Sequence, residues 1–122
     1  AEAYDGPSLI LAYSHCIAHG IDMSKGLDQQ YLAVNSGHWP LMRFNPVLRE
    51  ANKNPFLLDS PRPRVPLRDY HKNELRFRML ANTHPDEAER MLQLGQDQVL
   101  RRFAEYEQLA SSDANMFAQG AR

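Results

Sequence analysis

PSLILAYS, at residues 7–14, is a continuous apolar run that follows the turn-forming residues Asp5 and Gly6. A run of this kind is typical of a strand buried on both faces of a mainly parallel sheet. We therefore expect a core strand at residues 7–14. In such a sheet, cofactors bind at the loop that leaves the carboxyl end of a strand, and Cys16 lies in that loop.

A helix is expected to follow this loop. Ser24 can cap its first turn, Leu27, Tyr31 and Val34 lie on one helical face, and Gly37 supplies the stop after residue 36. Strand, loop and helix together form the half-unit of an α/β fold. The sequence therefore predicts the α/β class.

The sequence of residues 38–66 predicts little regular secondary structure. Residues 38–45 and 55–59 favour two short strands, and the polar residues 46–54 between them favour an exposed turn or short helix. Residues 60–66, SPRPRVP, contain three prolines, which favour an extended connector. A proline-rich ligand for an aromatic groove is the less favoured interpretation, because the segment lies between ordered elements.

Helices are expected from residue 67 onward, first over residues 67–80 and then from a cap at Thr83 with Pro85 and Asp86 in the first turn. Gly95 costs about 1 kcal/mol in mid-helix relative to alanine, so we expect a break or a close contact there. Residues 112–122 are expected to fray. The apolar face of the second helix comprises Ala88, Leu92, Val99, Phe103, Tyr106 and Ala110.

Composition limits the classes of partner. A formal net charge of -1 over 122 residues argues against nucleic acid. The longest apolar run, residues 9–13, is far shorter than the roughly 20 residues that cross a bilayer, so we expect no membrane association. A single cysteine excludes an internal disulfide and suits a reducing compartment. We expect a cytoplasmic protein.

The residues alone leave several roles open for Cys16. A lone cysteine is most often a small buried hydrophobe; it could also be a metal ligand, or a thiolate nucleophile paired with His15 or His19. His15, Cys16, His19 and Asp22 include good zinc ligands, but the expected loop and the lack of a second ligand pair weaken that interpretation.

Other signatures of chemistry are missing from the sequence. It has no GxGxxG, GxxxxGK[ST] or GxSxG motif. His38, His71 and His84 have mostly polar neighbours, so we expect them on the surface.

Three stretches resemble the pyruvate:ferredoxin (flavodoxin) oxidoreductases. They are GPSLILAYSHCIAHGIDMSKGLDQQYLAVNSGHWPLMRFNP at residues 6–46, KNPFLLDSPRPRVPLRDY at residues 53–70 and NELRFRML at residues 73–80. The stretches are similar to the end of the thiamine-diphosphate domain of those enzymes. It implies an α/β fold in which residues 1–66 finish that domain with one core strand and two short strands, and residues 67–122 form a C-terminal helical arm.

The resemblance also implies a role for Cys16. In this family the cysteine of the AYxxCIxxG loop is the last ligand of the [4Fe–4S] cluster nearest the thiamine diphosphate. The other three ligands, the Mg²⁺ and thiamine-diphosphate residues and the pyruvate site would lie upstream of residue 1. Many members have proline and asparagine where this chain has His15 and His19, so neither histidine is implied to be a cluster ligand, although either could tune the cluster through hydrogen bonds.

The implied activity belongs to a larger enzyme. It is oxidative decarboxylation of a 2-oxoacid, pyruvate in the type members, with coenzyme A as acyl acceptor and ferredoxin or flavodoxin as electron acceptor, in a homodimer. The chain starts without methionine and beside the predicted core strand, so we expect a fragment that is inactive and cluster-free alone. Two alternatives stay open: a stand-alone, non-catalytic interaction module, and a small mononuclear metal protein using Cys16, His15 and His19.

Overall fold

The computed structural model describes residues 1–113, which form four α-helices, two short strands and three 3₁₀ turns. The α-helices are α1 (Gly26–Asn35), α2 (Leu67–His71), α3 (Leu75–Thr83) and α4 (Pro85–Ser111). The strands are β1 (Met42–Phe44) and β2 (Phe56–Leu58), and the 3₁₀ turns are Ile17–His19, Met23–Lys25 and Pro46–Arg49.

Helix α1 confirms the predicted helix, with a different start and a different buried face. The Asp22 side chain, not Ser24, caps the preceding turn by accepting from Ser24 N at 3.0 Å. Gly37, at φ +74°, follows the helix as predicted. Leu27 is 84% exposed, because α1 buries the polar Gln29 against the rest of the chain instead of its apolar face.

The two predicted short strands are confirmed and pair with each other. They are antiparallel, with Met42 opposite Leu58 and Phe44 opposite Phe56. The intervening segment contains the 3₁₀ turn Pro46–Arg49, as expected. The connector at residues 60–66 has no helix or strand, and its backbone is tied to the end of α1 by a 2.8 Å bond from Arg64 N to Asn35 O.

Two helices replace the single helix predicted over residues 67–80. The break falls before Glu74, whose backbone is extended at φ −111° and ψ 127°. Leu75 N donates to Gly20 O at 3.2 Å instead of to a carbonyl one turn earlier. The helix therefore ends where its backbone binds another segment of the chain.

Helix α4 confirms the predicted apolar face, with Val99 and Phe103 almost completely buried. It is continuous through Gly95, where an added Cβ would lie 3.2 Å from Leu67 Cδ2, so the close contact was the correct alternative. The N-cap is His84 and not Thr83, whose hydroxyl donates to Met79 O inside α3. The tail predicted to fray is residues 112–122, and residues 114–122 of it lie outside the part of the chain that the structure describes.

The core of the described chain lies where α1, α2 and α4 meet. Its buried residues are Ala33, Leu67, Tyr70 and Val99, and Trp39 packs against them. The start of α2 is held there by a side chain of α4, since Gln96 Oε1 accepts from Leu67 N at 2.8 Å. A small core of this kind is expected for a short chain.

The predicted core strand at residues 7–14 is not formed. Those residues have neither helix nor strand structure, and Leu9, Ile10 and Leu11 are 82%, 76% and 74% exposed. A strand buried on both faces needs paired neighbours and two covering layers, and the described residues offer only the small β1–β2 sheet elsewhere. The observed mix of helices and one small sheet is compatible with a fragment of an α/β fold.

Candidate functional site

Cys16 lies in an exposed loop directly before the 3₁₀ turn Ile17–His19. Its backbone is extended, at φ −142° and ψ 140°, and its carbonyl accepts from His19 N at 3.0 Å. The thiol is therefore presented to the outside by an ordered turn. The expectation of a small buried hydrophobe is wrong for this cysteine.

The potential zinc ligands around Cys16 do not converge. His15 Nδ1 lies 3.1 Å from Gln30 Nε2, whereas His19 faces Glu74 and Asp22 accepts from Ser24. Across residues 1–113 no group of three or more His, Cys, Asp or Glu side chains could hold a metal ion. The mononuclear metal protein built on Cys16, His15 and His19 therefore has no support from the geometry.

Gly20 closes the Cys16 loop by a very close approach to α3. Its φ is +68°, a left-handed conformation that favours glycine, and its amide donates to Ile17 O at 2.9 Å. A Cβ added at Gly20 would lie 2.3 Å from Leu75 Cβ. Only glycine fits both the backbone conformation and the space.

A completely buried carboxylate, that of Glu74, lies directly beneath this contact. It accepts hydrogen bonds from Gln29 Nε2 at 3.0 Å and from Arg76 Nε at 2.5 Å. His19 Nδ1 lies 4.0 Å from Glu74 Oε2 and has no hydrogen-bond partner. Glu74 thus joins α1, α3 and the Cys16 loop at one point.

Glu74 is ionised despite its burial. Desolvation alone would raise the pKa of the carboxyl, but hydrogen bonds from Tyr70, Gln29 and Arg76, together with the charge of Arg76, hold the pKa below its usual value. A buried carboxylate of this kind is stable only while its donors stay in place.

Two tyrosines extend the network to the other end of the loop. Tyr13 and Tyr70 share a 2.6 Å hydrogen bond between their hydroxyls, and Arg76 Nη2 donates to the Tyr13 hydroxyl at 3.4 Å. A carboxylate only accepts, so the Tyr70 O–H is directed to Glu74 and the Tyr13 O–H to Tyr70. Burial and these hydrogen bonds raise the pKa of Tyr70, which stays protonated.

The prediction of surface histidines is confirmed for His84 but wrong for the other two. His38 stacks on Tyr70 with ring centroids 4.3 Å apart, and His71 stacks on Phe77 at 3.7 Å. Burial lowers the pKa of both, that of His71 to about 4. Their polar sequence neighbours gave no sign of this, because the aromatic partners come mostly from other elements.

The sequence also gave no sign of the Glu74 network. Glu74 falls within a stretch that predicts one continuous helix, and Gln29 falls on the face of α1 that a hydrophobicity pattern assigns to solvent. A buried glutamate two residues before its arginine partner has no distinguishing local pattern. Contacts between distant segments bring these groups together, among them the approach of Gly20 to Leu75 and the bond from Gln29 Nε2 to Tyr70 O.

A shallow cleft of about 230 Å³ opens beside the network. Its lining combines acidic and basic side chains, so it has no dominant charge that would select one class of ligand. The lining residues are Ile21, Asp22, Lys25, Asp28, Gln29, Lys72, Asn73 and Arg78. Among the described residues, no helix has the length and apolarity to cross a membrane.

Comparison with known proteins gives relatives but no matching family model. The chain is 48% identical over 111 residues to a pyruvate-flavodoxin oxidoreductase of Nostoc sp., a match that covers 91% of this chain and 9% of the relative. It is 47% identical over 111 residues to the pyruvate-flavodoxin oxidoreductase of Rhodospirillum rubrum, covering 90% of the chain and 9% of the relative. It is 42% identical over 110 residues to the pyruvate:ferredoxin oxidoreductase of Moorella thermoacetica, a match that covers 90% of this chain and 9% of the relative.

The similarity therefore extends over nearly all of this chain and only a small part of each relative. The chain spans about a tenth of the length of these proteins. Identity above 40% over some 110 residues is far greater than short motifs produce by chance. The chain is homologous to one segment of the pyruvate-flavodoxin and pyruvate:ferredoxin oxidoreductases.

Proposed function

We propose that this chain is a segment of an enzyme that oxidatively decarboxylates pyruvate. In that reaction pyruvate and coenzyme A give acetyl-CoA, CO₂, one proton and two electrons, and the electrons pass through [4Fe–4S] clusters to ferredoxin or flavodoxin. Thiamine diphosphate with Mg²⁺ carries out the carbon chemistry in the whole enzyme. The chain alone is inactive, because it spans only about a tenth of such an enzyme.

The observation that supports this proposal is the extent of the similarity. At 42–49% identity it covers 90–91% of the chain in four of the relatives, including the loop with Cys16 and the segment with Glu74. The relatives are named for their acceptors, flavodoxin in some and ferredoxin in others, so either acceptor is compatible with the chain.

Cys16 is the residue we assign to the cofactor chemistry, as one thiolate ligand of a [4Fe–4S] cluster. Its side chain suits this role, since it is exposed on an ordered turn and is the only cysteine of the chain. Four thiolates hold such a cluster, so the other three come from outside these residues. When bound, the cluster would supply one-electron transfer; the chain's part is to present the sulfur.

The exposed apolar segment at residues 7–14 supports the placement of residues 1–66 at the end of the thiamine-diphosphate domain. We propose that it joins the sheet of that domain as a core strand. Covering Leu9, Ile10 and Leu11, all at least 74% exposed, would contribute about 5 kcal/mol. The exposed Leu27 and Tyr31 of α1 would lie against the same domain.

Residues 67–122 would form the helical arm of the enzyme, which we propose contacts neighbouring domains of a cytoplasmic homodimer. The exposed Met91, Leu94 and Leu100 on α4 suit such contacts.

The test of the ligand assignment is Cys16→Ala in the polypeptide as the cell produces it. We expect the loss of about four irons per polypeptide, the number in one cluster, and of one electron paramagnetic resonance signal. Thiamine-diphosphate content should stay the same, since no residue of the chain is assigned to that cofactor. Ser14→Ala, which removes an exposed hydroxyl two residues away, is the matched control. Full iron content in the cysteine variant would contradict the assignment.

A stand-alone interaction module is the second candidate, and the exposure of Leu9, Ile10 and Leu11 favours it equally, because an apolar segment of this kind can serve a separate protein partner. Immunoblotting of the source cells against this chain distinguishes the two. A band about ten times the mass of the chain, oxygen-sensitive and rich in iron, supports the oxidoreductase. A band of the chain's own mass supports the module.

A further inference from the structure

We infer that the junction between α2 and α3, residues 70–76, positions Cys16 for its role, with Glu74 as the central positioning residue. This inference rests on the proposed function of Cys16 as a cluster ligand. It assigns residues of the helical arm to the presentation of a sulfur that belongs to a different part of the chain.

The first anchor holds the loop just after Cys16. Leu75 N donates to Gly20 O at 3.2 Å, and the Cα of Gly20 lies so close to α3 that a Cβ would overlap Leu75. His19 Nδ1 lies 4.0 Å from the buried Glu74 carboxylate. The 3₁₀ turn Ile17–His19 is thus followed at once by Gly20, which contacts Leu75, the first residue of α3.

The second anchor holds the loop just before Cys16. Tyr13 stacks on Trp39 at 5.1 Å, and its hydroxyl bonds to that of Tyr70 at 2.6 Å. Arg76, which is paired with Glu74, reaches the same hydroxyl at 3.4 Å. The two anchors therefore end on one hydrogen-bonded network.

Between the anchors the chain has little freedom. Cys16 is three residues after Tyr13 and four before Gly20, and a chain spans at most about 3.5 Å per residue. The turn bonds from His19 N to Cys16 O and from Gly20 N to Ile17 O restrict it further. Since both ends and the turn are held, the junction sets the position of the Cys16 backbone and the direction of its Cα–Cβ bond.

Glu74 is the member that ties the anchors together. It bonds to Gln29 of α1 and to Arg76 of α3, and it lies beside His19 of the loop. The carboxylate itself is completely buried, so solvent cannot replace a lost partner. An uncharged side chain at this position would leave Arg76 without its charged partner and would remove the negative charge that lies 4.0 Å from His19 Nδ1.

The test compares Glu74→Gln with Glu87→Gln in the polypeptide as the cell produces it. Glu87 is the matched control, because it is also paired with an arginine, Arg90, but on the exposed surface of α4. Hydrogen exchange is followed in peptides that cover residues 15–22 and, as internal references, in peptides from α1 and α4. The cluster is followed in the same samples by iron content and by its electron paramagnetic resonance spectrum.

For Glu74→Gln we expect exchange in residues 15–22 to accelerate about 10-fold, which corresponds to one charge-assisted hydrogen bond. Exchange in α1 and α4 should change less than about 2-fold, since those helices have other core contacts. The cluster signal should persist with an altered line shape, as expected for a moved ligand. Glu87→Gln should change neither the exchange in residues 15–22 nor the cluster signal.

Two results would overturn the inference: unchanged exchange in residues 15–22, or equal acceleration throughout the chain, which would mean that Glu74 only supports the core. An altered exchange with an unaltered cluster spectrum would overturn it as well, because the loop would then move without moving a ligand. Failure of the ligand assignment itself is recognised separately, by full iron content in Cys16→Ala.

Tyr70→Phe decides the question if Glu74→Gln fails to fold. It removes only the hydroxyl that links Tyr13 to Glu74 and keeps the ring that stacks on His38. We expect faster exchange in residues 15–22 and an altered cluster line shape, with α4 unchanged. No change in either readout would overturn the inference.

Discussion

Replacement of Gly20 by alanine should destabilise the chain more than its single added methyl group suggests. At φ +68° an alanine costs roughly 1–2 kcal/mol more than glycine. The new Cβ would also lie 2.3 Å from Leu75 Cβ, a separation that real carbon atoms do not adopt. Because Leu75 N is bonded to Gly20 O, neither segment can move away without losing that bond.

The two effects add to about 2–5 kcal/mol, since overpacking a fixed contact costs a further 1–3 kcal/mol. This is a large share of the 5–15 kcal/mol that stabilises a typical domain. Urea unfolding followed by far-ultraviolet circular dichroism measures the difference, provided that the transition slope stays constant. The expected result is a clearly lower midpoint at an unchanged slope.

Gly95→Ala is the matched control, because it makes the same chemical change inside α4. Its Cβ would lie 3.2 Å from Leu67 Cδ2, the movable end of a side chain, and its φ is ordinary. Alanine gains about 1 kcal/mol over glycine in a helix, which offsets the tight contact. A Gly20→Ala chain as stable as Gly95→Ala to within about 0.5 kcal/mol would refute the close anchoring of the loop.

Two further predictions concern the aromatic stack and the end of α4. Burial, with the charges of His38 and Arg76, lowers the pKa of His71 to about 4 in the folded chain against about 6.5 when unfolded. Its contribution to stability is therefore fully present above pH 6.5 and is lost as the pH falls through 4. Urea midpoints at several pH values should show this decline, and His71→Phe should reduce it between pH 6.5 and 5, where carboxylates do not yet titrate. The part that remains comes from His38, whose pKa is also lowered by burial. Asn54 donates to the carbonyls of Leu109, Ala110 and Ser112 at 2.7–3.1 Å and accepts from Phe56 N at 2.9 Å. Asn54→Ala should therefore cost about 1–2 kcal/mol in urea unfolding, and hydrogen exchange should accelerate in the last turn of α4 and at Phe56.

The elements that the sequence predicts correctly are those whose signal is local. Helix α1 ends shortly before Gly37, because the left-handed residue after a helix favours glycine, and β1 and β2 are flanked by turn residues. The long face of α4 is recognisable because apolar residues recur at helical spacing over many turns. In each case the information lies within the element itself.

The errors arise where one segment depends on another. The break before Glu74 exists because Leu75 N bonds to Gly20, more than fifty residues earlier. The burial of His71 depends on its position at the end of α2, because the break that follows lets Phe77 of α3 stack on it. Local propensity over residues 67–80 favours one helix, and the long-range contact overrides it.

The missing strand at residues 7–14 has a different cause. An apolar run predicts that a segment is covered, but not which chain covers it. In α1 the polar Gln29 faces inward to Glu74 while Leu27 and Tyr31 face outward, which reverses the usual arrangement of a surface helix.

This reversal and the exposed residues 9–11 have one common explanation. The inner face of α1 contributes Gln29 to the network beneath the Cys16 loop. Its outer face leaves Leu27 and Tyr31 exposed, as the proposal that a neighbouring domain covers them requires. A chain that folded only for itself would bury Leu27 and expose Gln29, since the opposite choice loses about 1.5–3 kcal/mol of leucine burial and desolvates an amide. If this chain is a segment of a larger enzyme, as we propose, the polar network holds the Cys16 loop and a neighbouring domain completes the core over Leu27 and residues 9–11.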